Sequence, residues 1–286
     1  MLSSKVFNLR KIQIFCFEIK INLLKTRPSD KKSIREANHQ PLVNPSPPYL
    51  CAMEVLPTAN FQPDIIVGGL RIGEPVIALT ALLSTIVCFY AWIRLGKEAE
   101  REDTLRLSRI FFLLMGLSTL IGALVGHCFI YCLPFVFKAP GWVLGMVAVS
   151  ALEQASIVRA KPYIGAGWGR ALTWLNLVEL TLALWFVTAT LWFPGVEIHS
   201  AFGFLCIIAP LELWLFFNKK RPGSRYILLG ILFLIGAVAI HISKISLGVW
   251  FTFFDIGHLL MCAAFWFFML GVEAEQKETN LVNSRL

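Results

Sequence analysis

An aspartate and a histidine, Asp255 and His258, stand three residues apart in the last apolar stretch of the chain, which runs from Gly248 to Gly271. On a helix this spacing puts both side chains on one face, one turn apart, so the carboxylate can orient the imidazole or keep it charged. Ionisable groups inside a membrane helix are costly and usually face the bundle interior, where they find partners. The pair therefore predicts a polar site whose other members come from other helices.

The composition indicates which class of protein holds this site. Of the 286 residues, 57% are hydrophobic and 15% are charged, whereas soluble domains carry roughly 25% charged residues. The chain is therefore expected to be a multi-pass membrane protein with the lipid bilayer as its partner. Its net charge of +8 is then no reason to predict nucleic-acid binding. The seven cysteines show no CxxC pair and no zinc-finger spacing.

Seven apolar segments follow Ile72, each about 20 residues long, which is the length that crosses ~30 Å of hydrocarbon at ~1.5 Å per residue. We therefore predict an all-α bundle of seven transmembrane helices over residues 71–274, followed by a short tail, 275–286. The predicted spans are 74–95, 109–131, 141–161, 170–192, 197–218, 225–244 and 252–272.

The positions of lysine and arginine predict the orientation of the bundle. The loops on one side, together with the C-terminal tail, hold fourteen of these residues, and the opposite loops hold two, Lys138 and Lys244. Because cytoplasmic loops carry an excess of Lys and Arg, we predict a cytoplasmic C-terminus and an N-terminus outside.

Residues 1–70 differ from the rest of the chain. They combine a basic, partly alternating apolar run with a linker rich in Pro, Ser and Asn, and they contain no spanning segment and no signal-peptide pattern. Nine of the 26 Lys and Arg lie here, on the side where the orientation rule expects few. We predict a poorly ordered extension, with the functional chain starting at Met53. The alternative is an arm that lies on the membrane surface.

Alternating the direction of the spans places one set of polar residues in the outer half of the membrane: Glu74, His127, His199, His241, Lys244, Asp255 and His258. Imidazoles and carboxylates around a cavity are the ligands of Zn²⁺ or Fe²⁺, and three protein ligands plus a water make a catalytic zinc. In this interpretation the ligands are His127, His241 and His258. Asp255 is a ligand, an orienting partner or a general base, and Glu74 is a second catalytic candidate. A proton relay, a pH sensor, or ordinary helix capping by each histidine are the alternatives.

A second polar layer is predicted in the cytoplasmic half, on the third, fourth and fifth spans: Glu153, Gln154, Asn176, Glu179 and Glu212. Asn176 and Glu179 are one turn apart and share a helix face. Acids in apolar surroundings take up protons or need cations as partners. This layer therefore predicts a cation or proton path, a pocket for a polar head group, or hydrogen bonds between helices made by protonated acids.

The last span, WFTFFDIGHLLMCAAFWFFMLGVE, has an aromatic cluster, then Asp-x-x-His, then an apolar helix that ends in Gly-x-Glu. It resembles the last span of an uncharacterised family of small membrane proteins that is similar to the alkaline ceramidases and the progestin and adiponectin receptors. The resemblance implies seven spans and a zinc ion bound by one second-span histidine and two last-span histidines four residues apart. His127 and His258 take the matching places, but Phe254 and Cys262 stand where the paired histidine would be. His241 is then the candidate third ligand.

Two functions follow as predictions. The first is metal-dependent hydrolysis of a lipid or lipid-like substrate, with zinc as the expected cofactor. The alternative is a seven-span receptor or a proton-coupled carrier that uses the same polar residues. The inner end of the third span reads Ile157-VRAK rather than an Asp-Arg-Tyr-like triplet, which disfavours a G-protein-coupled receptor.

Overall fold

The computed structural model describes residues 61–96 and 102–283. The start predicted at Met53 and residues 1–60 of the predicted extension lie outside this part of the chain. Residues 61–70 do not fit a poorly ordered extension, because strand β1, Ile65–Val67, pairs antiparallel with strand β2, Leu70–Ile72. Gly68 and Gly69 make the turn with φ of 60° and 83°, values that glycine adopts at no steric cost. Ordered structure thus begins before the predicted boundary at residue 70.

Helices form most of the remaining described chain. Their bounds are α1 Pro75–Arg94, α2 Asp103–Ile121, α3 Ala139–Ile164, α4 Ala166–Thr190, α5 Pro194–Phe202, α6 Ala209–Trp214, α7 Pro222–Ser243 and α8 Phe253–Asn283. Three π-helical segments extend or join them: Gly122–Cys128 after α2, Gly203–Ile208 between α5 and α6, and Leu215–Lys219 after α6. A 3₁₀ turn, Phe135–Lys138, precedes α3.

Seven helical segments of the described chain are long and apolar enough to cross a membrane: Pro75–Arg94, Asp103–Cys128, Phe135–Ile164, Ala166–Thr190, Pro194–Lys219, Pro222–Ser243 and Phe253–Glu278. The predicted multi-pass, seven-helix class is confirmed in this form, and the orientation of the termini stays a prediction. The second span starts six residues earlier than predicted, at Asp103, because Arg106 and Arg109 continue the helix beyond its apolar part. Long basic side chains can reach polar surroundings from a helix end.

Proline begins several of these helices, and the core is aromatic. Pro75, Pro194 and Pro222 stand in the first turns of α1, α5 and α7, where a missing N–H costs nothing. The main apolar cluster joins α1, α2, α3, the segment after α5, α7 and α8, with Phe111 packed edge-to-face against Phe268 of α8. Helix α4 contributes little to this cluster and exposes large apolar side chains, which suits contact with lipid.

The two ends of the bundle have different polar side chains, and we name them accordingly. The histidine end consists of the segment 61–74, the starts of α1 and α8, the end of α7 and the segment that follows α2, with His127, His241 and His258. The arginine end consists of the start of α2, the end of α3 and the start of α7, with Arg159 and Arg221. Helix α8 continues to Asn283, so most of the predicted tail 275–286 is helical.

Candidate functional site

Gln62 connects the start of α1 to the start of α8. Its side-chain oxygen accepts hydrogen bonds from the backbone N–H groups of Val76 and Ile77 at 3.0 and 3.1 Å. Its Nε2 donates to Asp255 Oδ2 at 2.9 Å and to the Trp250 carbonyl at 3.1 Å. The first N–H groups of a helix have no partner within the helix, so Gln62 caps α1. The sequence did not indicate this role, because Gln62 lies within the predicted extension, residues 1–70.

Asp255 bonds back to Thr252 at the start of α8. Its Oδ2 accepts hydrogen bonds from the Thr252 backbone N–H at 2.6 Å and from the Thr252 hydroxyl at 2.8 Å, and its Oδ1 accepts one from Thr80 at 3.4 Å. The bond to the Thr252 N–H is one half of a capping box, in which an acid in the first turn satisfies an N–H group that has no partner within the helix. The buried carboxylate thus fixes the start of α8. Its predicted role as a metal ligand or general base stays a prediction.

Glu74 holds His127 in place. One oxygen of the buried Glu74 carboxylate lies 2.7 Å from His127 Nδ1, and the other accepts a hydrogen bond from the Phe61 backbone N–H at 2.8 Å. Glu74 has a left-handed backbone with φ of 41°, a conformation that costs about 1–3 kcal/mol in a residue other than glycine. Next to it, the Gly73 N–H donates to the Cys128 carbonyl at 2.9 Å. These contacts join the segment before α1 to the end of α2.

His258 faces His127, as the sequence predicted for these two residues. The centroids of the two rings are 5.9 Å apart, and His258 Nδ1 lies 3.1 Å from the Thr80 hydroxyl. Asp255 reaches His258 only through Thr80, rather than directly. The Nδ1 atom of each ring is held by a polar side chain, Glu74 for His127 and Thr80 for His258.

His241 has different neighbours. Its Nε2 lies 3.7 Å from Glu197 Oε1 and 3.5 Å from Lys244 Nζ, and its ring packs against Phe253 and Phe254 with centroid separations of 5.3 Å. In the part of the chain that the structure describes, no group of three or more His, Cys, Asp or Glu side chains is placed to hold a metal ion. The structure thus unites two of the three predicted ligands, and the zinc site stays a prediction.

His199 lies deeper in the bundle than the other histidines and has its own partners. It is buried, with Nδ1 2.7 Å from Glu179 Oε2 and Nε2 3.0 Å from the Met146 carbonyl. The sequence placed His199 and Glu179 in opposite polar layers, whereas the structure pairs them across α4 and α5. Asn176 of α4 bonds Ser150 of α3, through its Nδ2 to the Ser150 carbonyl at 2.9 Å. These contacts join α3, α4 and α5, and the predicted protonation of the acids in this layer stays a prediction.

Glu153, near the middle of α3, is a buried acid without a hydrogen-bond partner among the described residues. It is completely buried, and neither of its oxygens has a hydrogen-bond partner among the described residues. Its carboxyl group occupies the space that a side chain at Gly203 would need. The neighbouring Gln154 instead donates to the Thr173 hydroxyl at 3.1 Å.

Glu212, by contrast, is held by several partners near the arginine end. It accepts a hydrogen bond from Ser156 at 2.8 Å and an ion-paired one from Arg159. Arg159 also lies 3.5 Å from Glu275, which Arg221 Nε contacts at 2.9 Å. The orientation prediction counts Arg159 among the fourteen basic residues of the cytoplasmic loops and tail. In the structure, however, the Arg159 side chain is only 7% exposed. Its position one turn after Ser156 on α3 is the signal that could have placed it inside the bundle.

A cleft opens at the arginine end, between α2, α3 and the turn before α7. Its volume is about 440 Å³, and Glu102, Thr104, Arg159, Tyr163 and Arg221 line it. Arg159 also lines a second, narrow cavity of about 20 Å³, which reaches Leu152. A cavity of this volume has room for about one water. From Tyr163 to Leu152 the lining follows eleven residues of α3, which is ~16 Å at ~1.5 Å per residue.

Residues 76–277 match the model of a family that is described as "Family of unknown function (DUF6962)". The chain belongs to this family. The match covers nearly all of the seven spans, including His127, His258 and Glu153, and it starts two residues after Glu74. No curated protein and no solved structure matches the chain. The resemblance to alkaline ceramidases and progestin and adiponectin receptors therefore rests on the sequence pattern alone.

Proposed function

We propose that the protein is a proton-coupled membrane carrier whose two ends open in turn. The observation that supports this function is the difference between the ends. The histidine end is closed by Gln62 and Glu74. The arginine end has a cleft of about 440 Å³ along residues 158–163 of α3, and a narrow cavity of about 20 Å³ lies further along the helix, beside Leu152. Alternating access requires a bundle that is closed on one side when it is open on the other. By the distribution of Lys and Arg, the open end is the cytoplasmic one.

Closure of the histidine end depends on the Glu74 carboxylate. One of its oxygens lies 2.7 Å from His127 Nδ1, and the other accepts a hydrogen bond from the Phe61 backbone N–H at 2.8 Å. Loss of these contacts would loosen the segment that covers this end. A carboxylate and an imidazole in contact are side chains of the types that hold and pass protons, which supports a carrier coupled to protons.

Cysteine labelling on both ends tests the carrier. The full chain is placed in lipid nanodiscs and treated with a maleimide, and labelling is read peptide by peptide with mass spectrometry. Native Cys128 reports the histidine end, and a cysteine from Thr104→Cys reports the cleft at the arginine end. We expect Glu74→Gln to raise labelling of Cys128 several-fold and to lower labelling at position 104, because opening one end closes the other.

The control is Glu197→Gln, which removes a carboxylate that is 47% exposed and 3.7 Å from His241. This variant should leave both reporters at the wild-type rate. If labelling of both reporters rises in Glu74→Gln, the whole bundle has loosened. If labelling of Cys128 rises and labelling at position 104 stays unchanged, only the histidine end has frayed. Either result contradicts the carrier.

Metal-dependent hydrolysis of a lipid-like substrate is the second candidate function. One observation favours it: His127 and His258 face each other with ring centroids 5.9 Å apart, close enough to share an ion with ligand bonds of ~2.0–2.1 Å. Both rings are oriented through Nδ1 by a carboxylate or a hydroxyl, which is how ligating histidines are usually held. If this function is right, zinc should copurify in stoichiometric amount and be lost in His258→Ala. The carrier would instead be favoured if wild-type protein contains no metal and Glu74→Gln changes the labelling of the two reporters in opposite directions.

A further inference from the structure

The unpartnered carboxyl group of Glu153 lies near the middle of the 26-residue helix α3. An isolated carboxylate taken out of water costs several kcal/mol, and a group in this situation neutralises instead. Glu153 is completely buried and receives no hydrogen bond from the described residues. In this state of the protein the group therefore carries a proton.

The opposing helix makes room for this carboxyl group. Gly203 is the first residue of the π-helical segment Gly203–Ile208, and a Cβ there would lie 2.9 Å from both the Glu153 carboxyl carbon and Val149 Cγ1. Any other residue at position 203 would displace Glu153. Short π-helical segments inside α-helices occur frequently at functional sites. The backbone of the opposing helix therefore provides the space that the Glu153 carboxyl group occupies, because position 203 has no side chain.

Two charged groups act on Glu153 from the neighbouring helices, His199 on α5 and Glu179 on α4. Glu212 on α6 contacts Ser156, three residues further along α3, and Arg159. Helix α2 offers no charged side chain between Arg109 and His127. Glu212 is already paired with Arg159. A charge formed on Glu153 would therefore act mainly on the His199 and Glu179 pair, attracted by one and repelled by the other.

The narrow cavity at the arginine end reaches the same level of α3 as Glu153. Leu152 and Ser156 line it, and these residues come just before and almost one turn after Glu153, whose own buried carboxyl group faces Gly203 instead. At about 20 Å³ it has room for about one water. A metal ion such as Ca²⁺ would need six or more oxygen ligands, whereas Glu153 brings two oxygens and has no hydrogen-bond partner among the described residues. The chemistry of the site fits a proton.

We propose that Glu153 is the proton-binding residue of this protein, that it releases its proton towards the arginine end, and that this proton is the one coupled to opening and closing. In the step, the O–H bond of the carboxylic acid breaks, the proton passes to water, and the carboxylate left behind acts on the His199 and Glu179 pair. The coupling rests on the proposed carrier function, but proton binding can be measured without transport.

Infrared difference spectroscopy on the full chain in lipid bilayers tests proton binding. At neutral pH we expect wild type to show the carbonyl band of a protonated carboxylic acid that Glu153→Gln lacks. Glu153→Asp should keep such a band at a shifted frequency. This shift identifies the band even if the Glu153→Gln variant fails to fold. The control is Glu273→Gln, whose carboxylate pairs with Arg94 at 2.9 Å and should not change the band. A wild-type spectrum without this band would overturn the proposal.

The labelling reporters at positions 128 and 104 test the coupling. In wild type, their relative labelling should shift in opposite directions between two pH values, after correction with a small-molecule thiol, and in Glu153→Gln this shift should disappear. If the band is lost in Glu153→Gln but the shift persists, Glu153 is not the coupled site, although the carrier survives. If the reporters never move in wild type, the carrier and the coupling both fail, while the band still decides whether Glu153 binds a proton.

Discussion

The histidine end and the arginine end are both held by buried polar groups, but the bonds are of different kinds. At the histidine end, Gln62 and Asp255 bond backbone N–H groups at the starts of α1 and α8. At the arginine end, Arg159 joins the side chains of Glu212 and Glu275. Capping bonds hold backbones close together and close the end, whereas long charged side chains span a distance and leave a cleft. The difference shows how one bundle can be closed at one end and open at the other.

The largest effect should come from removing the central cation of the arginine end. In Arg159→Leu, the completely buried Glu212 loses its ion pair, and breaking a buried pair by deleting one partner typically costs about 3–5 kcal/mol. We expect the free energy of unfolding in lipid or detergent to fall by this amount, with a strongly reduced yield of folded protein.

Arg94→Leu is the matched control, because Arg94 is 57% exposed and pairs with Glu273 at 2.9 Å. Exposed pairs contribute little to stability because water screens them, so this variant should unfold almost as wild type does. Equal losses in the two variants would show that the arginine end does not depend on a buried ion pair and would remove the contrast between the ends.

An intermediate effect is expected at the histidine end from Gln62→Ala. The substitution leaves the Val76 and Ile77 N–H groups and part of Asp255 without partners, and unsatisfied buried groups cost about 1–3 kcal/mol. Amide hydrogen exchange at Val76 and Ile77 should speed up markedly, while exchange in α3 stays the same.

The comparison variant is Gln154→Ala, which removes one side-chain bond between α3 and α4 and touches no helix start. It should not alter exchange at Val76 or Ile77. Unchanged exchange at these two amides in Gln62→Ala would mean that other contacts close the histidine end.

The smallest effect is expected at the mouth of the arginine-end cleft. Burial raises the pKa of Glu102 above its ordinary value, and the nearby Glu275 carboxylate adds to the shift. The folded protein then holds this proton more tightly than the unfolded chain, so the ionised Glu102 lowers stability at pH values above the ordinary Glu pKa of ~4.3.

Glu102→Gln should therefore be slightly more stable than wild type at neutral pH, by less than about 1 kcal/mol, the scale of partly exposed charges. The difference should shrink to nothing as the pH falls below ~4.3, which thermal unfolding at several pH values would measure. A stabilisation that persists in acid would have a cause other than this carboxyl group.

The sequence determined the class of the protein and the span positions to within about six residues at their ends, because span length and apolar composition are local properties that the bilayer thickness imposes. It also placed His127 and His258 at the same end of the bundle, since alternating spans set the depth of each residue. The role of Asp255 in holding the Thr252 N–H at the start of α8 was not predicted, because Asp255 was interpreted as a group that does chemistry.

The tertiary structure alone decided which side chains meet. Gln62 bonds Asp255 across 193 residues, His199 pairs with Glu179 rather than with the other histidines, and Arg159 lies inside the bundle instead of in a loop. Sequence periodicity gives the depth and the face of a residue on its own helix, but the identity of the neighbouring helix depends on how all the helices pack together. Glu153 remains without a partner for the same reason, because the helix opposite it presents a glycine.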